Sequence, residues 1–224
     1  MMLQLPGVLN ALQMERIEEI LKESSFQDGK MTAGMAARQV KNNLELKAER
    51  KPMESLIRVV MGALSSHRVF NAAVLPYRMA DPIVARYEPQ MNYGDHVDDP
   101  IMGLSGPRFR SDVSMTIFLR EPDSYDGGEL VVRTTFGEKK VKLAAGDAVI
   151  YPSSSLHRVD PVTRGERLVV LTWTQSHVRD PAQREMLYEL NQARETLLKK
   201  DATDETAKLV DKSYSNLIRM WADV

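Results

Sequence analysis

Cysteine is absent from the 224 residues, which excludes disulfides, thiolate nucleophiles and cysteine-held metal clusters. Histidine is also scarce, at four, so any imidazole chemistry must draw on very few candidates. Neither sign of charge is in excess: Lys+Arg 30 against Asp+Glu 31 leaves a formal net charge of -1 and no basic surplus of the kind that marks a general nucleic-acid binder. No apolar run is long enough to span a bilayer, and Met1-Met-Leu-Gln-Leu-Pro lacks the basic flank and apolar stretch of a signal peptide. A cytoplasmic protein without membrane or nucleic-acid partner is therefore expected. Internal repeats, low-complexity tracts and obvious linkers are missing as well, and the length suits one domain with a sizeable core.

Against this background, His96-Val97-Asp98 carries the most information. Residues i and i+2 on an extended strand point to one side, so His96 and Asp98 can reach one ion while Val97 points away. A third ligand must then come from a distant strand. His157 follows Gly146-Asp147, the apolar stretch Ala148–Tyr151 and Pro152-Ser-Ser-Ser-Leu156, which read as a turn, a short buried strand and a second turn. Arg167 stands at the head of the apolar run Leu168–Trp173, where a core strand would carry its guanidinium inward. Two imidazoles and a carboxylate cover one face of an octahedral ion and leave three positions open, as in non-haem Fe(II) oxygenases; a structural zinc site would be closed by four ligands. Each piece alone is ordinary, since Asp95, Asp98 and Asp99 also read as an acidic surface turn. Their order, ahead of an inward-facing arginine, favours the metal triad. His67 and His177 take ordinary roles, one in an amphipathic helical stretch and one in a polar turn after the last strand.

From Arg86-Tyr87 through His96-Val-Asp98, Asp126-Gly-Gly-Glu-Leu130, Gly146-Asp147 and Tyr151-Pro-Ser-Ser-Ser-Leu-His157 to Arg167, the chain resembles the Fe(II)/2-oxoglutarate-dependent dioxygenases of the prolyl 4-hydroxylase type, and within them the bacterial PKHD-type hydroxylases. The resemblance covers essentially the whole length. It implies a double-stranded β-helix, or jelly roll, with Fe(II) held by His96, Asp98 and His157 at its mouth. It also implies 2-oxoglutarate as cosubstrate, O2 as oxidant and L-ascorbate as auxiliary reductant. The reaction implied is hydroxylation of an unactivated C–H bond with decarboxylation of 2-oxoglutarate to succinate. Arg167 would grip the distal carboxylate through its planar fork, better than a lysine would. Tyr87 holds the place where relatives keep a tyrosine that hydrogen-bonds the cosubstrate, and Trp173 matches an aromatic lining the same pocket. One departure is plain: where some relatives supply another tyrosine from the strand Val113–Leu119, this chain has Ser114, Thr116 and Phe118.

The periodicity is consistent with that fold class, an α+β chain. Asn10 and Gln13 form a capping-box pattern before Met14, Ile17, Ile20 and Leu21, and Pro52 opens a longer amphipathic stretch through Leu64. Short β-rich runs at Ile83–Tyr87, Val113–Leu119, Glu129–Arg133, Lys139–Leu143, Ala148–Tyr151 and Arg167–Thr174, punctuated by Gly and Pro, indicate a sandwich or barrel. Helical spacing returns from Pro181. The expected division is residues 1–180, helices plus dioxygenase core, and 181–224, a C-terminal helical extension whose apolar stripe ending at Trp221 predicts a homo-oligomer, a dimer first. The segment Asp99–Arg110, with two glycines and two prolines, shows no periodicity and is expected to be a lid in which Arg108 and Arg110 meet an acidic group and Tyr93 packs on the substrate. A peptidyl-prolyl side chain, or a small molecule linked to iron uptake as in bacterial relatives, is the substrate the resemblance implies. The alternative from another class is a jelly roll that binds or senses a metal without turnover, which leaves Arg167 without a task. A three-ligand zinc hydrolase would want a general base at recognisable spacing, and none is present; a halogenase would need the position that Asp98 fills.

Overall fold

A computed structural model describes residues 1–47, 49–103 and 108–223. The helices are α1 (Ala11–Lys22), α2 (Arg50–Ser66), α3 (Arg68–Val74), α4 (Pro181–Lys200) and α5 (Glu205–Trp221). The N-terminal strands are β1 (Leu3–Leu5), β2 (Phe26–Asp28), β3 (Lys41–Asn42) and β4 (Leu44–Leu46), followed by β5 (Pro76–Met79), β6 (Ile83–Tyr87), β7 (Asn92–His96), β8 (Ile101–Met102) and β9 (Phe109–Arg110). The rest are β10 (Val113–Phe118), β11 (Asp126–Gly127), β12 (Leu130–Thr134), β13 (Gly137–Val141), β14 (Ala148–Pro152), β15 (His157–Val159), β16 (Val162–Arg164) and β17 (Arg167–Ser176).

Antiparallel pairing joins these into an α+β architecture. One sheet runs β1-β14-β10-β17-β6-β4-β2, with β5 also on β17; a second runs β13-β12-β15-β7-β3. Strand β17 explains how the layers stack. Its alternate residues Leu168 and Val170 join Val84, Met115, Ile117 and Ile150 in a core with Ile17 and Leu21 of α1, Leu56, Val60 and Leu64 of α2, and Phe70 of α3. The intervening Val169 faces the other way, into a core with Ala85, Tyr87, Phe118, Val149 and Tyr151 of its own sheet and Leu130, Val132 and Val159 of the second. Because both faces of β17 are buried, its sequence is an unbroken apolar run rather than an alternating one. Each fully buried aliphatic side chain contributes roughly 1.5–3 kcal/mol, so the helical layer over the first sheet is a principal source of stability.

Several expectations hold in detail. Asn10 Oδ1 accepts from the Gln13 amide at 3.0 Å and the Asn10 amide donates to Gln13 Oε1 at 2.9 Å, completing the capping box of α1. Pro181 opens α4, capped by Asp180. Others need correction. His67 is not inside a helix: it ends α2 and caps α3, its Nδ1 accepting from the Phe70 amide at 3.1 Å. The N-terminal region supplies strands as well as helices, since β1, β2 and β4 extend the first sheet and β3 the second. The segment after Asp98 is not without regular structure, because Ile101 and Met102 pair with Arg110 and Phe109 in a short ribbon. Residues 104–107 at the centre of the expected lid lie outside the described residues.

Candidate active site

The pairing of β15 with β7 brings the distant ligand home. His157 stands directly opposite His96, and directly paired residues project from the same face of a sheet. Asp98 does not share that strand, as β7 ends at His96; the chain turns out of the sheet there, leaving Val97 half-exposed and swinging the Asp98 carboxylate back. His96 Nε2 and His157 Nε2 lie 4.0 and 3.8 Å from Asp98 Oδ1. One ligand atom from each of the three falls within 4.8 Å of the others, a spacing that a single metal ion can bridge.

The surroundings prepare these groups as ligands. His96 Nδ1 donates to the Gly94 carbonyl at 2.8 Å and His157 Nδ1 to the Ser155 carbonyl at 3.0 Å, so each imidazole presents a bare Nε2. Burial, with the neighbouring His157, holds the His96 imidazole down at about 4, keeping it neutral at pH 7. The Tyr93 ring stacks on His96 with centroids 3.6 Å apart, and Tyr151 meets His157 edge-on at 5.0 Å. Tyr93 is thus half-buried with one face of its ring against His96. Ser114, 2 % exposed, donates to Asp98 Oδ2 at 2.5 Å; with its one proton committed, it accepts from the Ser153 hydroxyl 2.8 Å away. Ser114 thus orients the carboxylate and has no proton left for a cosubstrate. Thr116 lies instead beside the hydroxyl of Tyr151, whose pKa burial drives upward.

Arg167 begins β17 opposite Tyr87 of β6, and its side chain is 1 % exposed. Its guanidinium lies over the Tyr87 ring at 4.9 Å and near Phe118 at 5.7 Å, and its Nε has no partner. Among the described residues no carboxylate pairs with it. A guanidinium buried without a counter-charge is costly, and an anion beside it would lower that cost. Room for the side chain comes from Gly128, at φ +66, where a Cβ would sit 3.1 Å from Arg167 Cδ. Burial raises the Tyr87 phenol to about 12, which keeps its proton in place as a donor. Trp173, opposite Ser114 in register, is on the same face, half-buried, with an unpartnered Nε1.

Sequence reasoning missed Tyr151, Ser114 as support for Asp98, and the ion pair of Lys41 with Glu45 inside the second sheet's edge. Tyr151 had a signal, the inward alternation of Val149 and Tyr151. Arg110, read as available to a substrate, is committed to Asp112 through bonds of 2.6 and 3.0 Å.

With this geometry in place, comparison with known proteins is informative. Residues 82–175 match the 2OG-Fe(II) oxygenase superfamily, and residues 181–223 match the PKHD-type hydroxylase C-terminal domain. A PKHD-type hydroxylase of Thioalkalivibrio sulfidiphilus is 51 % identical over 224 residues, covering 100 % of both chains. The chain belongs to the PKHD-type hydroxylases. Another relative, from Thermosynechococcus vestitus, is 42 % identical over 224 residues with 100 % of each chain covered. Among solved structures, a Pseudomonas putida prolyl-4-hydroxylase shares the fold, with a TM-score of 0.54, 19 % identity, and coverage of 78 % of this chain and 92 % of that one. The family makes this hydroxylase an enzyme, with Fe(II), 2-oxoglutarate and O2 as its reagents, and the triad has the donors that iron needs. No described helix is long and apolar enough to cross a membrane.

Proposed function

We propose that this PKHD-type hydroxylase holds one Fe(II) through His96, Asp98 and His157 at the mouth of a double-stranded β-helix, with 2-oxoglutarate between the metal and Arg167. The observation that carries this reading is the convergence of two bare Nε2 atoms and one carboxylate in a fold that also buries a guanidinium with no carboxylate partner among the described residues. When bound, iron, 2-oxoglutarate and O2 supply the oxidation: 2-oxoglutarate leaves as succinate and CO2, and one oxygen atom enters an unactivated C–H bond. The protein does the rest. Arg167 takes the distal carboxylate by paired N–H donors, Tyr87 adds a phenolic donor, and Val169, Leu171 and Phe118 exclude water around them. L-ascorbate serves as auxiliary reductant.

The approach assigned to the substrate is a groove of about 330 Å³ formed in part by the ribbon that follows the two early ligands, with Arg78, Arg108, Arg110 and Asp223 among its lining residues. Arg108 suits an acidic group on the substrate, and Asp223 a basic one. The Pseudomonas putida neighbour is named a prolyl-4-hydroxylase, which keeps a peptidyl-prolyl side chain in view beside a small molecule linked to iron uptake. The division at residue 180, a cytoplasmic location, the absence of a nucleic-acid partner and a homodimer built on the exposed Met186, Leu209 and Met220 are part of the same reading. A folded truncation after Asp180 that keeps the native oligomeric mass refutes that dimer.

The test of the central claim is anaerobic addition of Fe(II) and 2-oxoglutarate followed by O2. A weak visible charge-transfer band and then succinate are expected. Iron binding without either one sinks the proposal.

A further inference from the structure

The residues at 26–46 lie outside the stretch that matches the oxygenase superfamily, which begins at 82, yet they reach the interior of the site. Strand β3 pairs with β7 in the second sheet, through Lys41 opposite Tyr93, while β4 pairs with β6 in the first, through Glu45 opposite Ala85. Asn43 is the single residue between them, where the chain crosses from one sheet to the other. Continuing the register of β4 on β6 sets Asn43 level with Tyr87, on the inward face, and its side chain lies against the Tyr87 phenol.

Asn43 is 3 % exposed; its amide lies beside the Tyr87 hydroxyl, and among the described residues neither Oδ1 nor Nδ2 makes a hydrogen bond of good geometry. A buried amide is costly to leave without a good acceptor or donor, and its position is fixed by the backbone around it. The Asn43 carbonyl accepts from the Gly29 amide at 2.9 Å, and Gly29 lacks the Cβ that would stand 2.1 Å from Asn43 Oδ1. Glu45, the nearest carboxylate on the same segment, is kept from Arg167 by Lys41 at 2.5 Å and Thr32 at 2.6 Å. Around Tyr87 there are therefore a guanidinium with no carboxylate partner among the described residues, a phenol and an amide, while the carboxylate of this segment is already paired.

We infer that Asn43 is a binding residue for the anionic cosubstrate: its amide donates to the distal carboxylate that Arg167 grips, so that the N-terminal segment completes the cradle. This rests on the 2-oxoglutarate reading above and adds to it the residue that closes the pocket from the side opposite β17. A ligand without the distal carboxylate has nothing for Asn43 to hold, and that supplies the discriminating measurement.

The experiment is calorimetric titration of the anaerobic Fe(II) protein with 2-oxoglutarate and with 2-oxobutyrate, which keeps the 2-oxo acid and lacks the second carboxylate. Asn43→Ala is expected to weaken 2-oxoglutarate by roughly 10- to 100-fold, the range for one hydrogen bond to a charged group, and to leave 2-oxobutyrate within about twofold. Gly29→Ala, which pushes the amide out of place with Asn43 intact, is expected to show the same selective loss, and Asn43→Asp a larger one. Equal affinity of wild type and Asn43→Ala for 2-oxoglutarate overturns the inference, as does an equal loss for both ligands, the mark of a purely structural residue. If wild type binds iron and no 2-oxoglutarate, the cosubstrate reading itself fails, an outcome distinct from both.

Discussion

Replacement of Ser114 by alanine isolates the contribution of a residue that holds the Asp98 carboxylate without itself belonging to the metal triad. The hydroxyl is buried, 2.5 Å from Asp98 Oδ2, and is backed by Ser153 at 2.8 Å. A hydrogen bond to a charged group contributes about 1.5–3 kcal/mol, and at about 1.4 kcal/mol per decade this corresponds to a loss of roughly 10- to 100-fold in metal affinity, the usual range for groups that orient metal ligands. Two effects add to it: the carboxylate gains freedom to rotate away from the two Nε2 atoms, and Ser153 loses its acceptor. Two opposing effects limit it, since the cavity left by one hydroxyl is small and a water molecule there would restore part of the bond. Competition against a chelator of known affinity, with Mn(II) as an air-stable substitute for Fe(II), reads the constant directly. Alanine at Ser114 should weaken binding by at least tenfold, and threonine, which keeps the hydroxyl, should recover part of it. An alanine variant with metal affinity within threefold of wild type, and a carboxylate that still binds in the same way, would refute the argument that Ser114 sets the orientation of Asp98.

Other expectations follow from the same geometry. Arg167→Lys keeps the charge and loses the fork, so 2-oxoglutarate affinity should fall by about tenfold or more while Mn(II) affinity holds; unchanged cosubstrate affinity removes Arg167 from the site. Lys41→Met strands the buried Glu45 carboxylate and should cost about 3–5 kcal/mol of stability at neutral pH, with part regained in the Lys41→Met, Glu45→Gln double variant; a denaturation midpoint unmoved by the single change contradicts the buried pair.

The lone His157 and the inward Arg167 were legible in the sequence because each depends on local pattern, a turn before a short strand and an apolar run that marks a doubly buried strand; His96 and Asp98 were legible as a pair, but Asp98 reaches the site by leaving the strand and not by its two-residue period. The helices were legible for the same reason, down to the capping box at Asn10 and Gln13. Which partners those residues meet was not. His157 faces His96 only because β15 pairs with β7, and Ser114 reaches Asp98 only because β10 lies in the other sheet, contacts that join residues far apart in the chain and leave no periodic trace in it. Arg110 looked available from its loop, and its commitment to Asp112 follows from the ribbon it belongs to. Asn43 is the clearest case, a polar residue in an unremarkable N-terminal stretch. Nothing in its neighbours marks it, and it becomes significant only where the chain passes between two sheets and leaves its amide buried beside Tyr87. Local sequence determined which side chains could do chemistry, through short-range preferences of the backbone; long-range pairing and burial decided which of them stand together, because those depend on surfaces the chain forms only once folded.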